Sequence, residues 1–394
     1  MKKLVVILLL TLFFNQICSA AKFNFPHNFK YPFGTKPNNI SQNDMNKEVQ
    51  KAFEDWKNKY LTEEGCAPGT KRVQMGKAYD FGTTSEGIGF GMLILAYMEN
   101  PKNKNQKDFD ALWKYYKRFR DAFGLMNWKI SKDRKILNAN SASEADINVA
   151  SALLIAHKVW GSNGEIDYSN EAHELIAKIK RFEIEKDTYI LKPGDTWGGS
   201  HVLNPMYFCP AFLRMWSQAT KDNFWGKVIK ANYAVIKNFN DNYETGLVPD
   251  WSRANGQKPE QDDLIYRFEY NACQFPLKMA LDYAWFGNEN SPLAYFMADK
   301  TAEWIKTETE NYPSRIRDGY ELNGQAAGKY NNGAFVGPFC AAGIVDKKHQ
   351  EWLDTSFDFL RKMRTGGDWG YYPDTLRLIS MLFVSGNMPN PYKN

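Results

Sequence analysis

An all-α fold, a barrel of six helical hairpins written (α/α)6, is what this 394-residue chain predicts. Three observations lead there. Helical periodicity recurs in twelve separate segments, strand-like alternation is nearly absent, and no low-complexity linker interrupts the run. Six hairpins closed into a toroid bury one inner ring of helices and leave a groove at one end.

The helices are expected near residues 45–60, 85–98, 106–121, 144–158, 169–181, 205–217, 222–238, 270–284, 291–310, 333–342, 347–361 and 373–385. "NKEVQKAFEDWKNKYL" (46–61) carries one apolar stripe, Val49, Phe53, Trp56 and Tyr60, opposite a charged face, as an outer helix should. "ADINVASALLIAHKVW" (145–160) is apolar around most of its circumference, as a helix covered on all sides should be. Segments 185–204 and 240–269 hold Gly, Pro, Trp and acids with little periodicity. Loops of that length in a compact domain usually carry function.

Residues 1–20, "MKKLVVILLLTLFFNQICSA", have a basic start, an apolar run from Leu4 to Phe14, and small residues at Ser19 and Ala20. That pattern is a secretory signal peptide. Behind it an arm at 21–43 and one helical domain over 44–394 are expected. No later stretch reaches the ~18 apolar residues of a membrane span, so an exported, soluble protein without a membrane anchor is expected. Cleavage after Ala20 removes Lys2 and Lys3, leaving 48 bases against 45 acids, a charge of +3. With no basic run, that argues against nucleic acid as a partner. Aromatic residues make up 15% of the chain, enough for a large core and also for flat platforms against sugar rings. Cys66, Cys209, Cys273 and Cys340 fit no zinc spacing. One or two disulfides and buried free thiols both suit them.

"TTSEGIGFGM" (83–92) puts an acid and three glycines at a helix start. Thr83-x-x-Glu86 reads as a capping box. The box does not explain Gly87, Gly89 and Gly91, each of which costs ~1 kcal/mol relative to Ala. Glycines let a backbone approach a ligand or another helix closely, and here they are expected to clear space for both. A carboxyl among apolar neighbours holds its proton and can donate it. "SASEADINV" (141–149) offers two more boxes, Ser141-x-x-Glu144 and Ser143-x-x-Asp146. Glu144 and Asp146 point ~200° apart on a helix, so only one can face a groove.

At these residues the chain resembles glycoside hydrolase family 8. "SEGIGFGM" (85–92) and "ASEADINVASALLIAHKVW" (142–160) look like its paired signature. "GLMNWKI" (124–130), "NPMYFCP" (204–210), "YNACQFP" (270–276), "DGYELNG" (318–324), "NNGAFVGP" (331–338) and "GYYPDTLRLISMLFVSGNMPN" (370–390) follow in order. The resemblance covers roughly residues 70–390. It implies an (α/α)6 barrel that hydrolyses β-1,4-linked polysaccharide with inversion. Glu86 falls at the position of the general acid. Trp128, Trp197 and Tyr207 match aromatic residues lining the sugar cleft, and Tyr270 and Tyr372 fall in cleft-side motifs.

Two departures stand out. Glu144 replaces an Asp that grips and distorts the sugar. Asn271 replaces the Asp base of many members, and Gln274 the Arg beside it. Asn271 cannot take a proton from water. Some members with Asn there, among them lichenan- and chitosan-degrading ones, draw the base from a nearby loop. "QKPEQDDLIYRFE" (257–269) makes Glu260 the first candidate, with Asp262 and Asp263 as alternatives and Glu269 also in reach. An inverting enzyme needs its two carboxyls ~6.5–9.5 Å apart.

The expected activity is therefore endo-hydrolysis of a neutral β-glucan, cellulose-like or mixed-linkage. Chitosan or xylan hydrolysis, or glycan binding without catalysis, are the alternatives. Carboxyls and water suffice for this chemistry, so no metal or organic cofactor is expected. The polysaccharide is the only partner expected, and the protein should act as a monomer.

Overall fold

The computed structural model describes residues 23–287 and 292–393, and the leader expected at residues 1–20 lies outside them. Twelve helices are found among the described residues: α1 Gln42–Tyr60, α2 Ser85–Tyr97, α3 Gln106–Arg118, α4 Ser143–Trp160, α5 Tyr168–Phe182, α6 Pro210–Thr220, α7 Phe224–Asn242, α8 Phe275–Phe286, α9 Pro292–Glu308, α10 Gly333–Ala342, α11 Gln350–Lys362 and α12 Tyr371–Val384. Even-numbered helices form the inner ring and follow one another as α2, α4, α6, α8, α10 and α12. Each odd-numbered helix packs outside, α3 on α2, α5 on α4 and so on, until α1 covers α12. The chain is thus an (α/α)6 barrel.

Burial follows the expected patterns. In α1 the stripe Val49, Phe53, Trp56 and Tyr60 is buried. In α4 every residue from Ser143 to Ala156 is buried. Six tryptophans, Trp56, Trp113, Trp216, Trp225, Trp285 and Trp352, lie fully inside, so half of the twelve go to the core. Two helices, α6 and α8, begin five residues later than expected, each with a proline in the first turn. Residues 205–207 form a single 3-10 turn before Pro210 opens α6, and Pro276 lies at the start of α8. Proline suits a first turn, where its missing N–H has no intrahelical partner.

Five short strands bridge the loops. β1 (Leu61–Thr62) pairs with β2 (Arg72–Val73), and β3 (Thr83–Thr84), β4 (Lys129–Ile130) and β5 (Ile136–Asn138) form an antiparallel ribbon. β3 runs straight into α2 and so fixes where that helix starts. The arm crosses the barrel: Phe25 N donates to Glu99 O at 2.8 Å, Thr35 N to Ile344 O at 2.7 Å, and Tyr31 Oη to Phe383 O at 2.9 Å. Cys66, Cys209, Cys273 and Cys340 are all free thiols, so the disulfide alternative does not hold. No described helix is long and apolar enough to cross a membrane.

Candidate active site

The start of α2 is set one residue later than the expected capping box. Thr84, not Thr83, is the cap: its hydroxyl accepts from Gly87 N at 3.2 Å. Ser85 N donates to Trp128 O at 2.9 Å, tying the helix start to β4. Glu86 is therefore not used in capping, and its partly exposed side chain lines an open cavity of about 1100 Å³.

The three glycines pack against protein and do not line that cavity, which corrects the expectation that they clear room for a sugar. A methyl at Gly87 would lie 2.8 Å from the Tyr371 hydroxyl on α12. One at Gly89 would lie 2.9 Å from Asn148 Cβ and 3.0 Å from Ala145 O on α4. One at Gly91 would lie 2.8 Å from Val73 and 2.9 Å from Leu112. Each glycine lets a different neighbour approach, and so brings α2 close to α4 and α12.

Neither capping box of 141–146 forms. Ser141 Oγ donates to Glu183 Oε1 at 2.5 Å and Ser143 Oγ to Lys192 O at 2.5 Å. Asp146 turns to the Tyr116 hydroxyl of α3. Glu144 faces the other way, to α8, where Lys278 Nζ lies 3.1 Å from its Oε1. Asn148 Nδ2 donates to the same oxygen at 3.1 Å, and Lys278 also donates to Met206 O at 2.9 Å. Both members of this ion pair are buried.

The surroundings of Glu86 act on its proton. Burial pushes its pKa well above the ordinary carboxyl value, and the charge of Glu144 pushes it further, while Lys278 pulls it back. Burial and the Glu144 charge thus both favour the protonated carboxyl.

Asn271 is exposed in the cavity wall, and its amide donates to Asp250 Oδ2 at 3.3 Å. Asp250 is buried, accepts from Glu269 N at 2.9 Å, and burial raises its pKa to about 7. Tyr270 donates to Asp318 Oδ2 at 2.8 Å. Gln274 Nε2 donates to the Tyr372 hydroxyl at 3.0 Å, which in turn donates to Tyr270 O at 3.1 Å. Trp197 and Tyr207 both lie against Trp251, with ring centroids 5.4 and 6.2 Å apart. Trp128 is half-buried beside Lys129. Glu260, Asp262 and Asp263 are exposed on the loop. Glu260 is 3.5 Å from Arg253 and Asp262 is 3.8 Å from Lys258, and none of the three acids lines the cavity.

Lys278, Asp250 and Trp251 were not foreseen. A signal existed for two of them. Lys278 is a cation inside the apolar run "FPLKMALDYAWF", and Asp250 sits in "GLVPDWS". Among the described residues no group of three or more His, Cys, Asp or Glu side chains is arranged to hold a metal ion.

A carboxyl whose protonated form is favoured, in a cavity wall that also holds Tyr79, Tyr270, Trp369 and Tyr372, is suited to protonating a glycosidic oxygen, which is the chemistry of a glycoside hydrolase. Residues 24–386 match the model of the glycosyl hydrolases family 8, and the chain belongs to that family. The match begins at the arm, well before residue 70. Endoglucanase A of Acetivibrio thermocellus is 34% identical over 374 residues, 93% of this chain and 75% of its own length. Endoglucanase 2 of Ruminiclostridium josui is 35% identical over 378 residues, 95% of this chain and 79% of its own. A solved β-1,3-1,4-glucanase from Paenibacillus sp. X4 superposes with TM-score 0.87 at 29% identity, covering 94% of this chain and 99% of that one. A cold-adapted family 8 xylanase, at 20% identity and TM-score 0.75, shares the fold.

Proposed function

We propose that this protein is an inverting endo-hydrolase of β-1,4-linked glucan, cellulose-like or mixed-linkage, with Glu86 as its general acid. The observation that carries the reading is Glu86 in the wall of the open cavity, with the charges of the Glu144–Lys278 ion pair acting on its proton. Lys278 and Asn148 fix one oxygen of Glu144. The negative charge of Glu144 then helps hold the proton on Glu86 until a glycosidic oxygen takes it. Glu144 also supplies charge against the cationic sugar that forms as the bond breaks.

Water must be activated by a second carboxyl. We assign this to Asp250, which adjoins Asn271, the position where many members of the family carry their base. A base poised near neutral pH is efficient, and Asp250 is raised to about 7. Glu260 is the alternative; neither acid lines the cavity, Asp250 lying behind Asn271 and Glu260 on an exposed loop that would have to fold inward. The endoglucanase and glucanase relatives support a glucan substrate over xylan or chitosan. Export, from the pattern of residues 1–20, and action as a monomer belong to the same reading.

Three variants test it on soluble mixed-linkage glucan. Glu86→Gln should fold normally and lose activity by ~10³-fold or more, on the scale of lost acid catalysis together with lost charge stabilisation. Asp250→Asn should fall comparably and be restored in part by azide, with the product anomer inverted. Azide rescue of Glu260→Gln, with Asp250→Asn still active, would move the base to Glu260. Full activity of Glu86→Gln would remove the acid.

A further inference from the structure

The first turn of α4 carries Glu144 on one side and Asp146 on the other, and no local cap holds it: Ala142, the residue before the helix, offers no side-chain acceptor. The turn is held from behind. Ser141 N donates to Asp195 Oδ1 at 3.1 Å, Ser143 N to Pro193 O at 3.0 Å, and the Tyr116 hydroxyl to Asp146 Oδ1. The side chains of Asp146 and Glu183 also meet there, carboxyl to carboxyl.

Both acids are fully buried, and Asp146 Oδ2 and Glu183 Oε2 have no N–H or O–H donor among the described residues. Asp121, which is half-buried, and Asp195 make a second such pair beside them. The cations that face the cluster are engaged elsewhere. Arg120 lies over the rings of Trp113 and Tyr116, at 4.9 and 5.6 Å, and Lys192 Nζ donates to Phe182 O at 2.8 Å. Two ionised carboxylates so placed would repel each other, whereas one proton between them makes a strong O–H···O bond. Burial and the charge of Asp146 accordingly push the Glu183 pKa well above the ordinary carboxyl value.

We propose that Asp146 and Glu183, joined by one shared proton, are positioning residues for the reaction: they lock the first turn of α4 from behind and so fix the Glu144 charge that acts on Glu86. This rests on the reading of Glu86 as the general acid. Glu144 and Asp146 leave opposite sides of one helical turn, so a tilt that frees Asp146 also carries Glu144 away from Lys278.

Two measurements test the lock. Hydrogen exchange of the amides of residues 143–148, divided by the intrinsic chemical rate, reads the opening of the turn. The opened chain releases the Glu183 proton that the closed one keeps, so the opening constant should rise by up to about tenfold per pH unit between roughly pH 5 and 8. Glu183→Gln, whose amide N–H takes the proton's place toward Asp146, should weaken that slope. On mixed-linkage glucan at neutral pH, Glu183→Leu should lower kcat by about ten- to a hundredfold with KM little changed, and Glu183→Gln should restore it. An exchange slope in Glu183→Gln equal to that of the unmutated protein overturns the lock, as does full kcat in Glu183→Leu or a Glu183→Gln no better than Glu183→Leu. Should Glu183→Leu not fold, the exchange comparison with Glu183→Gln decides alone. Full activity of Glu86→Gln would remove the acid, while the exchange slope would still decide the lock.

Discussion

Lys278 Nζ and Glu144 Oε1 are 3.1 Å apart, inside the inner ring, with only 5% and 4% of their side chains exposed. Removing one partner of such a pair leaves an uncompensated buried charge, whereas removing both is far milder. Lys278→Met should therefore lower stability by about 3–5 kcal/mol. Glu144→Gln with Lys278→Met should recover most of that loss in thermal unfolding. Activity should stay low in both, because the double variant lacks the charge that acts on Glu86. Recovery of activity with stability would assign the pair a packing role alone.

Activity should depend on pH through both carboxyls. Asp250 works as a base only when ionised, so kcat/KM should fall as pH drops through about 7. Glu86 works only when protonated, and its pKa is raised, so the alkaline fall should begin well above the usual carboxyl range. In Asp250→Asn the remaining activity should lose the acid-side fall.

Stability should decline as pH rises from about 4 to about 7. Burial raises the pKa of Asp146 from its ordinary value near 3.8 to about 7, with the charges of Asp121 and Asp195 adding to it, and Asp121 is itself raised to about 6. The folded state therefore holds protons that the unfolded chain releases. The stabilisation is complete below the ordinary pKa and is lost as pH climbs toward the folded one. Denaturant titrations at several pH values should show this slope, and Asp146→Asn should flatten it.

Two glycine-to-alanine changes should have opposite signs. At Gly89 a methyl meets Ala145 O and Asn148 Cβ at 3.0 and 2.9 Å, so α2 and α4 must separate, costing about 1–3 kcal/mol. At Gly226, in α7, a methyl meets nothing within 4 Å, and better helix propensity should stabilise by about 0.5–1 kcal/mol. Thermal melts of the two variants check both signs.

Periodicity made the helices legible, because the apolar stripe of α1 and the all-round apolarity of α4 follow from which ring each helix joins. Glu86 as a candidate acid was legible too, since a glycine-flanked Glu at a helix start is conspicuous. Its electrostatic partners were not. Glu144 and Lys278 are 134 residues apart, and Asp250 meets Asn271 only after the loop between α7 and α8 folds back. The capping boxes failed for a related reason. Ser141 and Ser143 found partners on the 183–192 segment, so long-range hydrogen bonds overrode a local pattern.

The arm has a consequence for how the molecule assembles. Its backbone and side chains bond to Glu99, Ile344, Phe383 and Asn387, and the last of these contacts spans 360 residues. Of these partners, Phe383 and Asn387 exist only once α12 has been made. A chain emerging amino-end first can reach Glu99 early, whereas the bonds of His27 and Tyr31 that tie its beginning to its end can close only after α12 has emerged.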